Sequence, residues 1–145
     1  MDQDIIETIR QEHEQILEML DDLEVRDRAR SETYSVARGL LYAHMCGEEA
    51  TIYEWMRSKM AERIEDSLAE HNSIRLCLDR LDRIEIIEIG WVPAIRDLKR
   101  CVQFHVDNEE RLLKMAKSFL GESERLEMAE RFQRAKEVQS GYSLA

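Results

Sequence analysis

The sequence predicts an all-α protein that folds as an up-down-up-down antiparallel four-helix bundle with a short C-terminal fifth helix. Of its 145 residues, 43% are hydrophobic and 36% are charged, and only one proline and five glycines occur. Such a composition is poor in turn formers and rich in helix formers. Apolar residues also recur at steps of three and four, the spacing of one face of an α-helix. A chain of this length suits one domain.

The first two helices are predicted over residues 4–23 and 31–59. The apolar face of the first helix consists of Ile5, Ile9, Ile16 and Leu20. The apolar face of the second helix consists of Ala37, Leu40, Ile52, Trp55 and Met56. Ser31 suits the N-cap of the second helix, because a serine hydroxyl can accept a hydrogen bond from a free backbone amide. Both segments therefore predict amphipathic helices with one buried face.

The third and fourth helices are predicted over residues 61–85 and 93–120. The apolar face of the third consists of Ile64, Leu68, Ile74, Leu78 and Leu81. That of the fourth consists of Ile95, Leu98, Val102, Leu112, Ala116 and Phe119. Between them the helical period is lost around Gly90, and Pro93 suits the first turn of the next helix. Gly121 is expected to end the fourth helix.

The last helix is predicted over residues 123–138, with Leu126, Ala129 and Phe132 on one side. We expect residues 1–120 to form the bundle and residues 121–145 to form a helix and tail of the same domain. The last helix could cap the bundle, or it could pair with a second subunit or a regulatory protein partner.

Charge and hydropathy exclude several classes of function. The net charge of −10 and the pI near 4.9 argue against binding to nucleic acid or to anionic lipid. No apolar stretch is long enough to span a bilayer, and the first residues lack the pattern of a signal peptide. A cytoplasmic protein is expected. Its three cysteines, Cys46, Cys77 and Cys101, are expected to be reduced thiols.

The ionisable residues repeat between the two halves of the chain. Glu-His-x-x-Ile occurs at residues 12–16 and again at 70–74, while HMCGEE at 44–49 is matched by HVDNEE at 105–110. Each long helix contains one histidine on its apolar face, and these are His13, His44, His71 and His105. The repeat therefore predicts a pseudo-symmetric bundle with one inward-facing histidine on each helix.

Glu48 and Glu109 lie one helical turn after His44 and His105, so histidine and glutamate can face the same point. Burying four imidazoles and two carboxylates is costly without compensation, and two metal ions would supply it. The competing interpretation is a hydrogen-bonded polar core, because a lone inward histidine is usually structural. Four histidines in register favour metal. Imidazole and carboxylate ligands suit iron, manganese or zinc, and bridging carboxylates in a helical bundle favour a di-iron or di-manganese site.

In these residues the sequence resembles the hemerythrin-like, or HHE cation-binding, family. The family pattern of His, HxxxE, His, HxxxE is met by His13, His44, Glu48, His71, His105 and Glu109. The resemblance covers about residues 1–120 and implies two iron ions bridged by both glutamates and an oxo or hydroxo group. The repeat suggests that His13 and His44 share one iron and that His71 and His105 share the other.

One position departs from the oxygen-carrying members, which have another histidine four residues after the third-helix histidine. Here that residue is Arg75, which argues against reversible oxygen carriage. We expect a centre that binds or reacts with dioxygen, peroxide or nitric oxide, including catalase-like protection against stress. The sequence leaves open whether the protein is an enzyme. The alternative is an iron or oxygen sensor, or an iron-centre repair module, that acts through a protein partner.

Residues near the six predicted ligands have weaker signals. Tyr53 lies nine residues after His44, where some family members use a tyrosine ligand, but an unbroken helix would turn it about 180° away. We therefore expect Tyr53 to pack elsewhere, with ligation as the alternative. Cys101, one turn before His105, is expected to be an inert thiol, with a redox thiol as the alternative. The adjoining acids are expected to be mostly surface charges, with one or two orienting a histidine: Glu12, Glu49, Glu70 and Glu110.

Overall fold

The computed structural model describes residues 3–144, with side chains for residues 3–139, and contains six helices and no strand in that range. The helices are α1 (Ile5–Val25), α2 (Arg30–Ala50), α3 (Ile52–Met56), α4 (Ala61–Asp82), α5 (Trp91–Phe119) and α6 (Glu122–Leu144). The prediction of an all-α bundle is confirmed. The prediction that the bundle ends at residue 120 stays a prediction.

Four long helices enclose the core. α1 packs against α2 and α5, α4 packs against α5 and α2, and α6 lies along α2 and α1. The carboxylate of Asp4 caps α1 by accepting a hydrogen bond from the Glu7 amide at 3.0 Å. Pro93 falls in the first turn of α5, as predicted. α6 runs to Leu144 and is therefore longer than the predicted fifth helix.

The second predicted helix differs most from the structure. α2 begins at Arg30 after Ala29, whose φ of 54° is left-handed, so Ser31 lies inside the helix and the N-cap prediction was wrong. The predicted span also breaks at Thr51, which lies between α2 and α3 with φ −125° and ψ −90°. The Thr51 hydroxyl donates to the Gly47 carbonyl at 2.7 Å, a local contact that competes with the regular helical pattern.

The apolar core forms two clusters, one toward each end of the bundle. One cluster contains Ile16 of α1 and Val102 of α5, and the other contains Ile9 of α1 and Leu112 of α5. Between them lies a layer of buried polar side chains. No helix among residues 3–144 is both long and apolar enough to cross a membrane. The fold thus surrounds its polar centre with hydrocarbon at both ends.

Candidate metal centre

All six predicted ligands meet in the polar layer between the two apolar clusters. Each is at most 5% exposed, and they are His13, His44, Glu48, His71, His105 and Glu109. α1 and α4 each contribute one histidine, while α2 and α5 each contribute a histidine and a glutamate one turn later. Helical periodicity explains this convergence, because each ligand lies on the apolar face of its own helix.

Each glutamate lies between a histidine of one half of the repeat and a histidine of the other. Glu109 Oε1 is 3.2 Å from His13 Nε2, and Glu109 Oε2 is 2.9 Å from His105 Nε2. Glu48 Oε1 is 3.2 Å from His44 Nε2 and 3.1 Å from His71 Nε2. Both carboxylates are therefore placed where they can bridge two positions.

Several polar atoms in this layer have no hydrogen-bond partner in the described part of the chain. They are His13 Nε2, His44 Nε2, Glu48 Oε2 and Glu109 Oε1. The two histidine nitrogens lie 3.2 Å from glutamate oxygens, as ion-pair contacts without a hydrogen bond. Buried polar atoms are normally satisfied, so this group requires an explanation. A group of four residues also offers one ligand atom each within 4.8 Å of one another, namely His13, Glu48, His105 and Glu109. The residues present therefore fit a metal ion, and their nitrogen and oxygen donors suit iron, manganese or zinc.

Three histidines are oriented by carboxylates from neighbouring helices. His44 Nδ1 lies 2.8 Å from Glu12, His71 Nδ1 lies 2.7 Å from Glu49, and His105 Nδ1 lies 2.7 Å from Glu70. In each case Nε2 is left to face the centre, as in many metal sites. Glu110 instead pairs with Arg10 at the surface. The expectation that most of these acids are surface charges was wrong for three of the four.

Further groups hold the orienting carboxylates in place. Glu12 forms an ion pair with Lys136 of α6. Arg75 Nη2 donates to Glu49 at 3.1 Å, so the residue that departs from the oxygen-carrier pattern supports a histidine indirectly. Glu70 accepts from the Asn108 amide at 2.8 Å. Each carboxylate thus has a second anchor, which restricts the movement of the histidine that it contacts.

Tyr53 enters the centre, contrary to the expectation that it points away. Its hydroxyl is 3.1 Å from His71 Nε2 and 3.5 Å from His105 Nε2. It also donates a hydrogen bond to Glu109 Oε2, and the side chain is 0% exposed. The expectation failed because it assumed an unbroken helix, whereas the chain breaks at Thr51 and redirects the residues that follow. Ligation by Tyr53 stays a prediction.

The side chains of the centre also form a buried network of ion pairs. Burial alone would lower the pKa of His44, but the charge of Glu48 and the hydrogen bond with Glu12 raise it to about 10. Burial would also lower the pKa values of His71 and His105. The neighbouring glutamates raise them instead, through their charges and their hydrogen bonds with the two histidines. Burial would raise the pKa of Glu48, yet the charge of His44 and the surrounding hydrogen bonds hold it well below its usual range. Bound cations would replace these protons.

The two sides of the centre have different surroundings. On the first side, Phe132 of α6 packs edge-on against His44, with ring centroids 5.9 Å apart. Gly47 makes room for this ring, since a Cβ there would lie 2.6 Å from a Phe132 carbon. On the second side, Tyr53 stacks on His71 with centroids 5.1 Å apart. The two halves of the repeat therefore have similar predicted ligands, but a different aromatic ring packs against the histidines on each side.

Comparisons with known proteins found a matching family model and a related sequence. The family model of the hemerythrin HHE cation binding domain matches residues 4–116. An uncharacterized hemerythrin-like protein of Schizosaccharomyces pombe is 28% identical over 101 residues, covering 66% of the chain. The chain spans only 50% of that relative's length.

One solved structure also aligns with nearly the whole chain. It is a hemerythrin HHE cation binding domain-containing protein from Mycobacterium kansasii, with a TM-score of 0.85 and 21% identity. The alignment covers 98% of this chain and 90% of the mycobacterial one. At this level of identity the match supports the fold, while the site depends on the residues described above.

Proposed function

Because the chain belongs to the hemerythrin HHE cation binding domain family, we propose that its buried polar layer binds two iron ions. The proposed ligands are His13, His44, Glu48, His71, His105 and Glu109. The observation that carries the proposal is the set of buried nitrogen and oxygen atoms that face the centre without a hydrogen-bond partner in the described chain. Cations at this position would compensate atoms whose burial is otherwise costly.

We assign His13 and His44 to the first ion and His71 and His105 to the second. The ring centroids within these pairs are 4.9 Å and 4.7 Å apart, whereas those of His13 and His105 are 6.3 Å apart. The two oxygens of Glu109 face one histidine of each pair. These distances support a shared, bridging role for the glutamates. Tyr53 is a candidate for an additional ligand of the second ion.

We further propose that the centre binds or reacts with dioxygen, peroxide or nitric oxide. Iron supplies redox and Lewis-acid chemistry when it is bound. The protein contributes an environment enclosed by two apolar clusters, with histidines fixed by carboxylates and Tyr53 beside the centre. Burial raises the pKa of Tyr53 well above its usual value, and the charges of Glu109 and Glu48 raise it further. The phenolic proton therefore stays on Tyr53 at neutral pH in the metal-free protein.

Arg75 favours reactivity over reversible oxygen carriage. It occupies the position at which oxygen carriers have a further histidine, and its guanidinium contacts Glu49 instead of the centre. The second ion would therefore lack that imidazole. If the protein is an enzyme, the reaction that we propose for it is the breakdown of peroxide.

Adjacent glutamates offer a matched test of metal binding. Glu109→Gln removes a proposed ligand, whereas Glu110→Gln changes a neighbouring carboxylate that pairs with Arg10 at the surface. After iron-replete expression we expect about two iron ions per chain in the native protein and in Glu110→Gln. Glu109→Gln and His71→Ala should each contain clearly less. Equal iron in all four proteins, or less than about 1.5 ions in the native chain, would refute the proposed site.

Reactivity requires a separate experiment on the iron-loaded protein. Peroxide or nitric oxide should change its visible spectrum, and peroxide consumption should follow iron content across the variants above. If the spectrum stays unchanged while iron is bound, the site stands but the proposed reactions do not. The same protein loaded with zinc serves as the control, because zinc has no redox chemistry.

A sensor is the second candidate function, and the contact between α6 and the centre favours it. Lys136 of α6 pairs with Glu12, which in turn contacts His44, so α6 is connected to a proposed ligand through two side chains. Metal occupancy would then affect how firmly α6 is held, and a protein partner could detect the difference. Removal of iron by a chelator should lower the melting temperature or change the oligomeric state. If neither changes, the sensor hypothesis fails.

A further inference from the structure

Two thiols meet on the outer side of the α4–α5 pair, away from the proposed metal ligands. Cys77 Sγ and Cys101 Sγ are 3.7 Å apart, and both residues are half-buried. Cys46 lies on a different helix, where its sulfur contacts Gln139. The contact between Cys77 and Cys101 is not predictable from their separation in the sequence. It arises because α4 and α5 are antiparallel neighbours.

Cys101 also lines a surface groove with a volume of about 500 Å³. The other residues that line it are Ala69, Glu70, Ser73, Asp97, Arg100 and Phe104. The groove is large enough for hydrogen peroxide or a small organic hydroperoxide to reach the sulfur of Cys101. Cys77 is not among the residues that line the groove. The two sulfurs therefore differ in access, although they are in contact.

We propose that Cys77 and Cys101 form a redox-active dithiol, which a hydroperoxide converts into a disulfide between α4 and α5. In the first step Cys101 gives its proton to solvent and the thiolate attacks one peroxide oxygen. The O–O bond breaks, and the departing oxygen takes up a proton. This gives a sulfenic acid and releases water, or an alcohol from an organic hydroperoxide. In the second step Cys77 attacks the oxidised sulfur, the S–S bond forms, the S–O bond breaks and water leaves. Together the two thiols lose two electrons, and one peroxide molecule accepts them.

The geometry assigns the two cysteines different roles. Burial and, to a smaller extent, the hydrogen bond with Cys101 together raise the pKa of the Cys77 thiol to about 11. Cys77 thus stays protonated at neutral pH and does not compete with Cys101 for the peroxide. In the second step its sulfur is already in contact with the oxidised sulfur, and its proton leaves with the hydroxyl group of the sulfenic acid as water. Because a disulfide is about 2.05 Å long, the sulfurs must approach by about 1.7 Å, which is within the reach of side-chain rotation.

The disulfide would fix the two helices that bear the proposed ligands of the second ion. Cys101 lies one turn before His105 on α5, and Cys77 follows His71 on α4. A cross-link between them restricts the unfolded chain and should raise the melting temperature by about 5–10 °C. The dithiol reaction itself requires only the hydroperoxide, so it does not depend on the proposed iron chemistry.

The experiment uses the full chain loaded with iron and, in parallel, with redox-inert zinc. Each is treated with hydrogen peroxide, alkylated, and analysed by intact mass and peptide mapping. We expect Cys77 and Cys101 to become resistant to alkylation and a linked peptide to appear, while Cys46 stays alkylatable. Dithiothreitol should reverse the change. Because zinc supports no redox reaction, a disulfide in the zinc protein with no spectral change in the iron protein would support the dithiol and refute the proposed iron reactivity.

Two variants make the assignment specific. Cys46→Ser should form the same disulfide, because Cys46 takes no part in it. Cys77→Ser should stop at a sulfenic acid on Cys101, which dimedone captures. The proposal is overturned if the linked peptide is absent, if disulfides between chains predominate, or if Cys46 is oxidised as readily as Cys101. An unchanged melting temperature after oxidation would overturn the stabilising role of the cross-link.

Discussion

Arg75 of α4 donates a hydrogen bond to Glu49 of α2 at 3.1 Å, and the other oxygen of Glu49 lies 2.7 Å from His71 Nδ1. The arginine thus acts on a histidine of its own helix by way of a carboxylate from another helix. Position 75 therefore has no imidazole that could bind metal, but the arginine found there helps to hold His71 in place through Glu49.

Arg75→Met should weaken metal binding at the second position by about tenfold, because outer partners of ligating histidines contribute this much or more. The affinity for zinc or cobalt can be measured by competition with a chelating dye. Arg80→Met is the matched control, since Arg80 lies on the same helix but pairs with the exposed Asp97. Equal affinities for the two variants would show that the Arg75–Glu49 pair does not support the site.

Tyr53→Phe should retain iron, because the four histidines and two glutamates are still present. If the phenolate binds the second ion, the native protein has a visible charge-transfer band that the variant lacks. We expect this loss, and absorption spectroscopy of the iron-loaded proteins measures it. Tyr42→Phe, which changes a half-buried tyrosine beside Arg38, should leave the spectrum intact. Identical spectra for native protein and Tyr53→Phe would remove Tyr53 from the ligand set.

Gly47→Ala should destabilise the protein by about 1–3 kcal/mol, because the added methyl group collides with the Phe132 ring and forces α6 away from α2. Gly39→Ala is the control on the same helix. A Cβ at Gly39 meets nothing within 4 Å, so alanine there should stabilise α2 by about 0.5–1 kcal/mol. Chemical denaturation measures both changes. Similar effects at the two glycines would mean that the contact between α6 and Gly47 is unimportant.

The metal-free protein should lose stability as the pH rises from 7 toward 10. The pKa of His44 is 6.5 in an unfolded chain and about 10 in the folded protein. Its protonated form therefore contributes stability that is fully present below pH 6.5 and is lost as the pH rises through the folded pKa. Circular dichroism melting curves at several pH values measure this decline.

The carboxylates act in the opposite direction at low pH. The pKa values of Glu48 and Glu109 are lowered from 4.5, so their contribution is present above that value and is lost as the pH falls below it.

The metal-loaded protein is the control for the decline between pH 7 and 10. Bound metal displaces the histidine protons and should abolish that decline. A melting temperature that stays constant over that interval without metal would contradict the ion-pair network.

Periodicity explains why much of this arrangement is predictable from sequence. The apolar faces identify the four long helices, and the HxxxE motifs place a histidine and a glutamate on the same face. The orienting carboxylates are harder to predict. Glu12 and Glu70 each precede a ligand in sequence, but they contact His44 and His105 on other helices. Those contacts depend on how the helices are arranged around one another, which periodicity alone does not determine.

The position of Tyr53 depends on a feature that helical propensity does not reveal. No proline lies near Thr51, the one nearby glycine, Gly47, is inside α2, and the apolar period continues through Trp55. The break becomes visible only in the folded backbone. The contact between Cys77 and Cys101 has a similar origin, since it depends on the relative position of α4 and α5.

The break at Thr51 has a consequence for the symmetry of the duplicated halves. The repeat aligns Tyr53 with Lys114, because the second HxxxE motif follows the first by 61 residues. α5 continues unbroken past that point, and Lys114 lies on its exposed face. One interruption of the backbone therefore gives one half a phenol where the other presents an ammonium group to solvent. Two halves with matching ligands can thus diverge chemically while every ligand residue stays the same.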